Sequence, residues 1–103
     1  MKHTALVAAA AVTAALLVAP AAHADAGDDA FLAAMHARYP YPPEMDQDAI
    51  NAGRGACTLL DQGLTRAQIV RSMADLNIDP AWTGFLVDIA VSSYCPQNGA
   101  KLI

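Results

Sequence analysis

Three kinds of side chain here could do chemistry: two cysteines, the one histidine beyond the N-terminal stretch, and ten carboxylates. Cys57 and Cys95 stand 38 positions apart with no C-x-x-C pair, which is not a zinc-site spacing. His36 lies one step beyond Met35, off the apolar face of its segment, with no Ser, Cys or Asp beside it in a triad motif. The acids fall in two groups, Asp25/Asp28/Asp29 and Glu44/Asp46/Asp48. Neither carries the glycine-punctuated calcium loop, and both stand where helices begin, a place that favours negative charge on its own account. No metal site and no cofactor are expected. Gly53-x-Gly55 follows no strand, so it is not a phosphate loop. Met35, His36, Tyr39, Tyr41 and Met45 gather around a proline-rich stretch, and Met, His and Tyr can all ligate haem iron. Met35, His36 and Tyr39 are therefore the candidate ligands of an alternative reading, a carrier of haem or another small apolar molecule.

The first 24 residues read as a secretory signal. Met1-Lys2-His3 is a short basic start, Ala5–Ala19 is apolar except for Thr13, and Ala22-His23-Ala24 is a small-x-small cleavage pattern. Cleavage is expected between Ala24 and Asp25, giving a secreted or cell-envelope protein with no membrane span. From Asp25 onward there are 79 residues, one domain, about half of them apolar. Five basic side chains face ten acidic ones in that part. Such a balance argues against nucleic acid and anionic membrane surfaces, which need a basic patch. Export also places both cysteines in an oxidising compartment, so a Cys57–Cys95 disulfide is expected.

Helical periodicity supplies the elements that must hold these residues. Asp28 is positioned to cap a first helix, whose apolar face is Phe31, Leu32 and Met35. Tyr39-Pro40-Tyr41-Pro42-Pro43 cannot be helix and reads as an extended connector. A second helix starts at Asp46 as N-cap, with Met45 and Ile50 as a hydrophobic staple, and runs to Gly63 as C′ residue. Its glycines, Gly53 and Gly55, imply close approach of a neighbour. Thr65 and Gln68 form a capping box for helix three, whose stripe is Ile69, Val70, Met73 and Leu76. Asp79-Pro80 opens helix four, where Trp82, Phe85, Leu86, Ile89, Ala90 and Ser93 share a face, with Trp82 a core residue. Pro96 should pull Cys95 out of helical geometry and toward Cys57. The fold class is all-α: about four short helices stapled by one disulfide, with helices two to four around one core. The ordered part should span 28–96, with residues 97–103 frayed.

Asp29-Ala30-Phe31-Leu32, Gly53-Arg54-Gly55-Ala56-Cys57 with Leu60 and Gly63, and Tyr94-Cys95-Pro96 make up a recognisable pattern. In these elements the chain resembles the domain of unknown function 732 family of small secreted mycobacterial proteins. The resemblance implies a signal peptide, a helical fold and a paired Cys57–Cys95, and it implies no activity. The proline–tyrosine connector is richer than the family pattern.

With no catalytic constellation, no enzymatic activity is expected. The leading expectation is a non-enzymatic interaction or structural module. Its candidate partner contact is Tyr39, Tyr41, Pro42 and Pro43, an aromatic–proline stretch of the kind that peptide-recognition surfaces use.

Overall fold

The computed structural model describes residues 26–102. The expected signal segment and its Ala24–Asp25 cleavage site lie outside the described residues. Helix α1 covers 26–38, and Tyr39 and Pro40 end it. After the connector, a 3-10 turn at Pro43–Met45 leads into α2, Asp46–Asp61. Helices α3, Arg66–Ala74, and α4, Pro80–Tyr94, follow, and a 3-10 segment, Pro96–Leu102, closes the chain. Among the described residues every regular element is helical. Helix α4 makes its main contacts with α2, α3 and the C-terminal segment, and α2 in turn contacts α3, α4, the C-terminal segment and the 3-10 turn.

Local chemistry sets several boundaries. The Thr65 hydroxyl accepts from the Gln68 backbone N–H while the Gln68 side chain accepts from the Thr65 N–H, a complete capping box. Asp79 accepts from the Ala81 N–H, and Pro80 at the first helical position gives up no bond. Gly63 follows α2 with φ of 105°, a conformation that glycine alone adopts without strain. Cys95 leaves helical geometry ahead of Pro96, and its sulfur lies 2.06 Å from that of Cys57. The closed loop ties the end of α4 to the C-terminal half of α2.

Leu76, expected on the stripe of helix three, lies beyond α3 and is 68% exposed, and the core departs from the expected one in three further places. Helix α1 belongs to it: Phe31 and Met35 are fully buried among Leu60, Val87 and Ala90. The buried face of α4 is Thr83, Leu86, Val87, Ala90 and Val91, and Trp82, Phe85 and Ile89 sit at its margin. Helix α4 is apolar nearly all round, so periodicity could not choose between these faces. The tail is not frayed as far as Leu102. Asn98 is buried and donates to the Asp61 carboxylate at 2.8 Å, and Lys101 Nζ donates to the Leu60 carbonyl at the end of α2. A cation there satisfies a terminal carbonyl and opposes the negative end of the helix dipole.

Candidate functional site

Two regions collect the residues singled out by their chemistry. The first is closed by contacts within the protein, with Arg54 half exposed at its rim. Asp28 does not cap α1, which is already helical at residue 26. Its Oδ1 reaches across the fold instead, accepting from Arg54 at 2.9 Å and from the Tyr94 hydroxyl at 2.7 Å. The Arg54 guanidinium also lies 5.1 Å from the Tyr94 ring centre. The Tyr94 ring meets Phe31 at 5.3 Å, and Phe31 presses against Gly53 so closely that a Cβ there would come within 2.7 Å of it. The Tyr94 hydrogen bond, with help from Arg54, holds the Asp28 carboxyl below its ordinary range despite some desolvation. Burial, with the Asp28 bond, pushes the Tyr94 phenol well up. Four residues of the sequence pattern, Phe31, Gly53, Arg54 and Tyr94, thus meet Asp28 at one node, and the Cys57–Cys95 bond also joins α2 to the end of α4.

The second region is the connector, which is fixed rather than free. Tyr39 packs at 5.7 Å on Phe85 of α4, and Arg38 lies over both rings. Tyr41 stacks on His36 at 4.2 Å. His36 Nε2–H donates to Asp46 Oδ1 at 2.7 Å, so the acid expected to cap α2 ties it to α1 instead. The N-cap position belongs to Met45, which makes no side-chain cap bond and is half exposed rather than folded into a staple. Pro42 has polyproline-type dihedrals, whereas Pro43 already belongs to the 3-10 turn. Both prolines face solvent. The Tyr41 hydroxyl is buried with no hydrogen-bond partner among the described residues. Burial, and the negative charge of Asp46, raise its ionisation above the ordinary phenol value.

Two grooves share Trp82 as a wall, and connector residues line the first of them. One, of about 380 Å³, is lined by Tyr39, Pro40, Tyr41, Met45, Asp48, Ala49 and Trp82. The other, of about 450 Å³, runs between α2, α3 and α4 over Ala52, Gly55, Leu59, Ile69, Met73 and Leu86, and Trp82 lines it too. The candidate haem ligands do not share a site. Met35 is fully buried, His36 is engaged by Asp46 and Tyr41, and of the three only Tyr39 lines a groove. Among the described residues no three His, Cys, Asp or Glu side chains are grouped to hold a metal ion. None of the described helices is long and apolar enough to cross a membrane.

A family profile described as "Protein of unknown function (DUF732)" matches residues 27–97. The chain belongs to the DUF732 family. No curated protein and no solved structure matches it. The DUF732 match spans both the node and the connector.

Two features escaped the sequence reading. Trp82 is a groove wall as well as a margin of the core. The surplus of apolar residues on α4, more than one face can bury, was the signal that could have found it. Arg66 forks onto Asp88 at 2.8 and 3.1 Å, laying its guanidinium over Gly84 and joining α3 to α4. Neither residue stood out by spacing.

Proposed function

We propose that this DUF732 protein is an exported, non-enzymatic binding module whose contact face is the connector and the grooves beside it. The observation that carries the reading is the first groove. Three aromatic side chains, Tyr39, Tyr41 and Trp82, line an open apolar trough, and the half-exposed Met45 stands at its edge. Aromatic and Met side chains are enriched at protein interfaces, and an apolar trough open to solvent is what a partner covers. The connector is braced at both tyrosines, so the face is preorganised and little ordering entropy is lost on contact. Export is supported by the basic start, apolar run and Ala22-His23-Ala24 of the N-terminal stretch, and by a cysteine pair at bonding distance.

A second reading, carriage of a small apolar molecule, draws on the second groove and its almost wholly hydrocarbon lining.

The test is capture of partners from culture filtrate by the immobilised protein and by two surface variants. Met45→Glu puts a charge at the groove edge. Leu76→Glu alters the most exposed large apolar residue, which lines neither groove. Loss of capture in Met45→Glu with retention in Leu76→Glu is the expected result. Equal capture by all three proteins would end the reading. An intact mass beginning at Asp25 and two hydrogens light checks export and pairing on the same sample, and extra mass under native conditions would favour the carrier.

A further inference from the structure

We infer that the two grooves meeting at Trp82 form one docking site for an extended peptide segment that carries a basic side chain next to an apolar one. This rests on the binding-module reading and names the chemistry of the partner. Trp82 lines both grooves, so whatever crosses that residue enters both. Both are open troughs, whereas a small ligand is held by a pocket that buries most of its surface. An extended chain suits two adjoining troughs, because it lies across them and drops a side chain into each.

The chemistry of the troughs differs. In the first, Trp82 and the sides of Tyr39 and Tyr41 not covered by Arg38 and His36 supply aromatic surface, and Asp48 supplies a carboxylate. Asp48 is exposed and has no ion-pair partner among the described residues, unlike Asp28, Asp46 and Asp88. Neither trough is lined by Lys or Arg. Aromatic faces beside a free carboxylate attract a guanidinium or ammonium through cation–π contact and a charge-assisted hydrogen bond. The excess of acidic over basic side chains from Asp25 onward steers a basic segment toward the site.

The second trough selects hydrocarbon. Its two hydroxyls are already committed, Thr58 to the Arg54 carbonyl and Thr83 to the Asp79 carbonyl. With no free hydroxyl donor and an otherwise hydrocarbon lining, the surface rewards an aliphatic or proline side chain. Gly55 adds to this. A Cβ there would meet nothing within 4 Å, so no packing inside the protein calls for glycine. Glycine inside a helix costs about 1 kcal/mol relative to alanine. Its bare backbone at the trough leaves room for close approach by a bound chain.

The experiment uses the purified, disulfide-bonded protein and a positional-scanning library of short blocked peptides. Trp82 is the single tryptophan, so its fluorescence reports the site directly. We expect selection of Arg or Lys close to an aliphatic or proline residue, with a shift of Trp82 emission on binding. Asp48→Lys should weaken the selected peptide by about tenfold, the scale of one good charged contact. Gly55→Leu, whose Cβ enters open space and whose folding is checked by an unchanged melting temperature, should erase the apolar preference and keep the basic one. Selection of acidic peptides, indifference to charge, or unchanged affinity in both variants overturns the proposal. So does a concentration-dependent Trp82 shift without peptide, which would mean that a second copy covers the face. A shift with a neutral decyl glycoside but with no peptide would hand the grooves to the carrier reading. If Met45→Glu abolishes capture while the library shows no basic preference, the peptide chemistry fails and the module stands. If capture ignores Met45→Glu, the module itself falls.

Discussion

Gly53 and Gly55 are two residues apart on α2 and meet opposite surroundings. Gly53 is buried under Phe31, at the node where Asp28, Arg54 and Tyr94 converge. Gly55 opens onto the groove shared with Trp82, with nothing within reach of a Cβ. One glycine is required by the fold and the other is not. On the sealed side Asp28 accepts from both Arg54 and Tyr94, and the packing is closed by aromatic rings and a disulfide. On the open side aromatic and apolar surface is left over. A small domain cannot be tight everywhere, and this one concentrates its closure on the side where the start of α1 meets the end of α4. If the binding reading holds, stability and recognition fall on two faces of a single helix.

Breaking the sealed side at its covalent link should have the largest effect. The Cys57–Cys95 loop joins positions 38 apart, for which the chain-entropy account gives about 4 kcal/mol. Cys57→Ser should lower the melting temperature by roughly 15–30 °C in a domain of this size and leave the chain open to protease. Calorimetry with and without reductant checks it. An unchanged melting temperature would show that the loop closure is idle and that the node holds without it.

How much of this division could be read from the sequence follows from the range of each interaction. The Thr65–Gln68 box, the Asp79 cap, Gly63 and the break at Tyr39-Pro40 depend on neighbours within four residues, and all were legible. The cysteine pair was legible because only one pairing exists. Asp28 and Asp46 were not, because an acid near a helix start can cap locally or reach across the fold. Here the distant partners, Tyr94, Arg54 and His36, won. Nor was the tail, whose order depends on Asn98 finding Asp61 at 37 residues' remove. At the candidate site, Tyr39 and Tyr41 stood out by composition, whereas Asp48, Ala49 and Trp82 join them only after α2 and α4 have packed.

The paired glycines give a matched test of the comparison. Gly53→Ala puts a methyl group within 2.7 Å of a fully buried phenylalanine ring. Overpacking of that kind costs about 1–3 kcal/mol, only partly offset by better helix propensity. A net loss of about 1–2 kcal/mol in urea unfolding is expected. Gly55→Ala has the propensity gain with no clash and should stabilise by about 0.5–1 kcal/mol. Opposite signs at two positions on one helix would sharpen the division between faces. Two losses would mean that the Gly55 side is packed after all, and two gains that Phe31 yields.

The smallest expected effect is a pH dependence confined largely to the node. The folded Asp28 carboxyl titrates below its unfolded value, so its contribution is present above about pH 4 and is lost as the pH falls further. The unfolded chain takes up that proton first. Tyr94 works in the opposite sense. Its folded ionisation is raised, so from about pH 10 upward the unfolded chain loses a proton that the folded chain keeps, and stability declines. Tyr41, raised by burial and Asp46, adds to the alkaline decline from the connector. Asp28 is partly exposed and its pairing is screened, which keeps its share of the effect modest. Urea midpoints across pH should therefore show a flatter acid limb in Asp28→Asn than in the wild type. Tyr94→Phe keeps the ring against Phe31 and should flatten the alkaline limb in part, leaving the portion due to Tyr41. If Asp28→Asn and the wild type share one acid limb, the Asp28–Arg54–Tyr94 contact does not hold in solution. The sealed side would then rest on the disulfide and the Phe31–Gly53 packing alone.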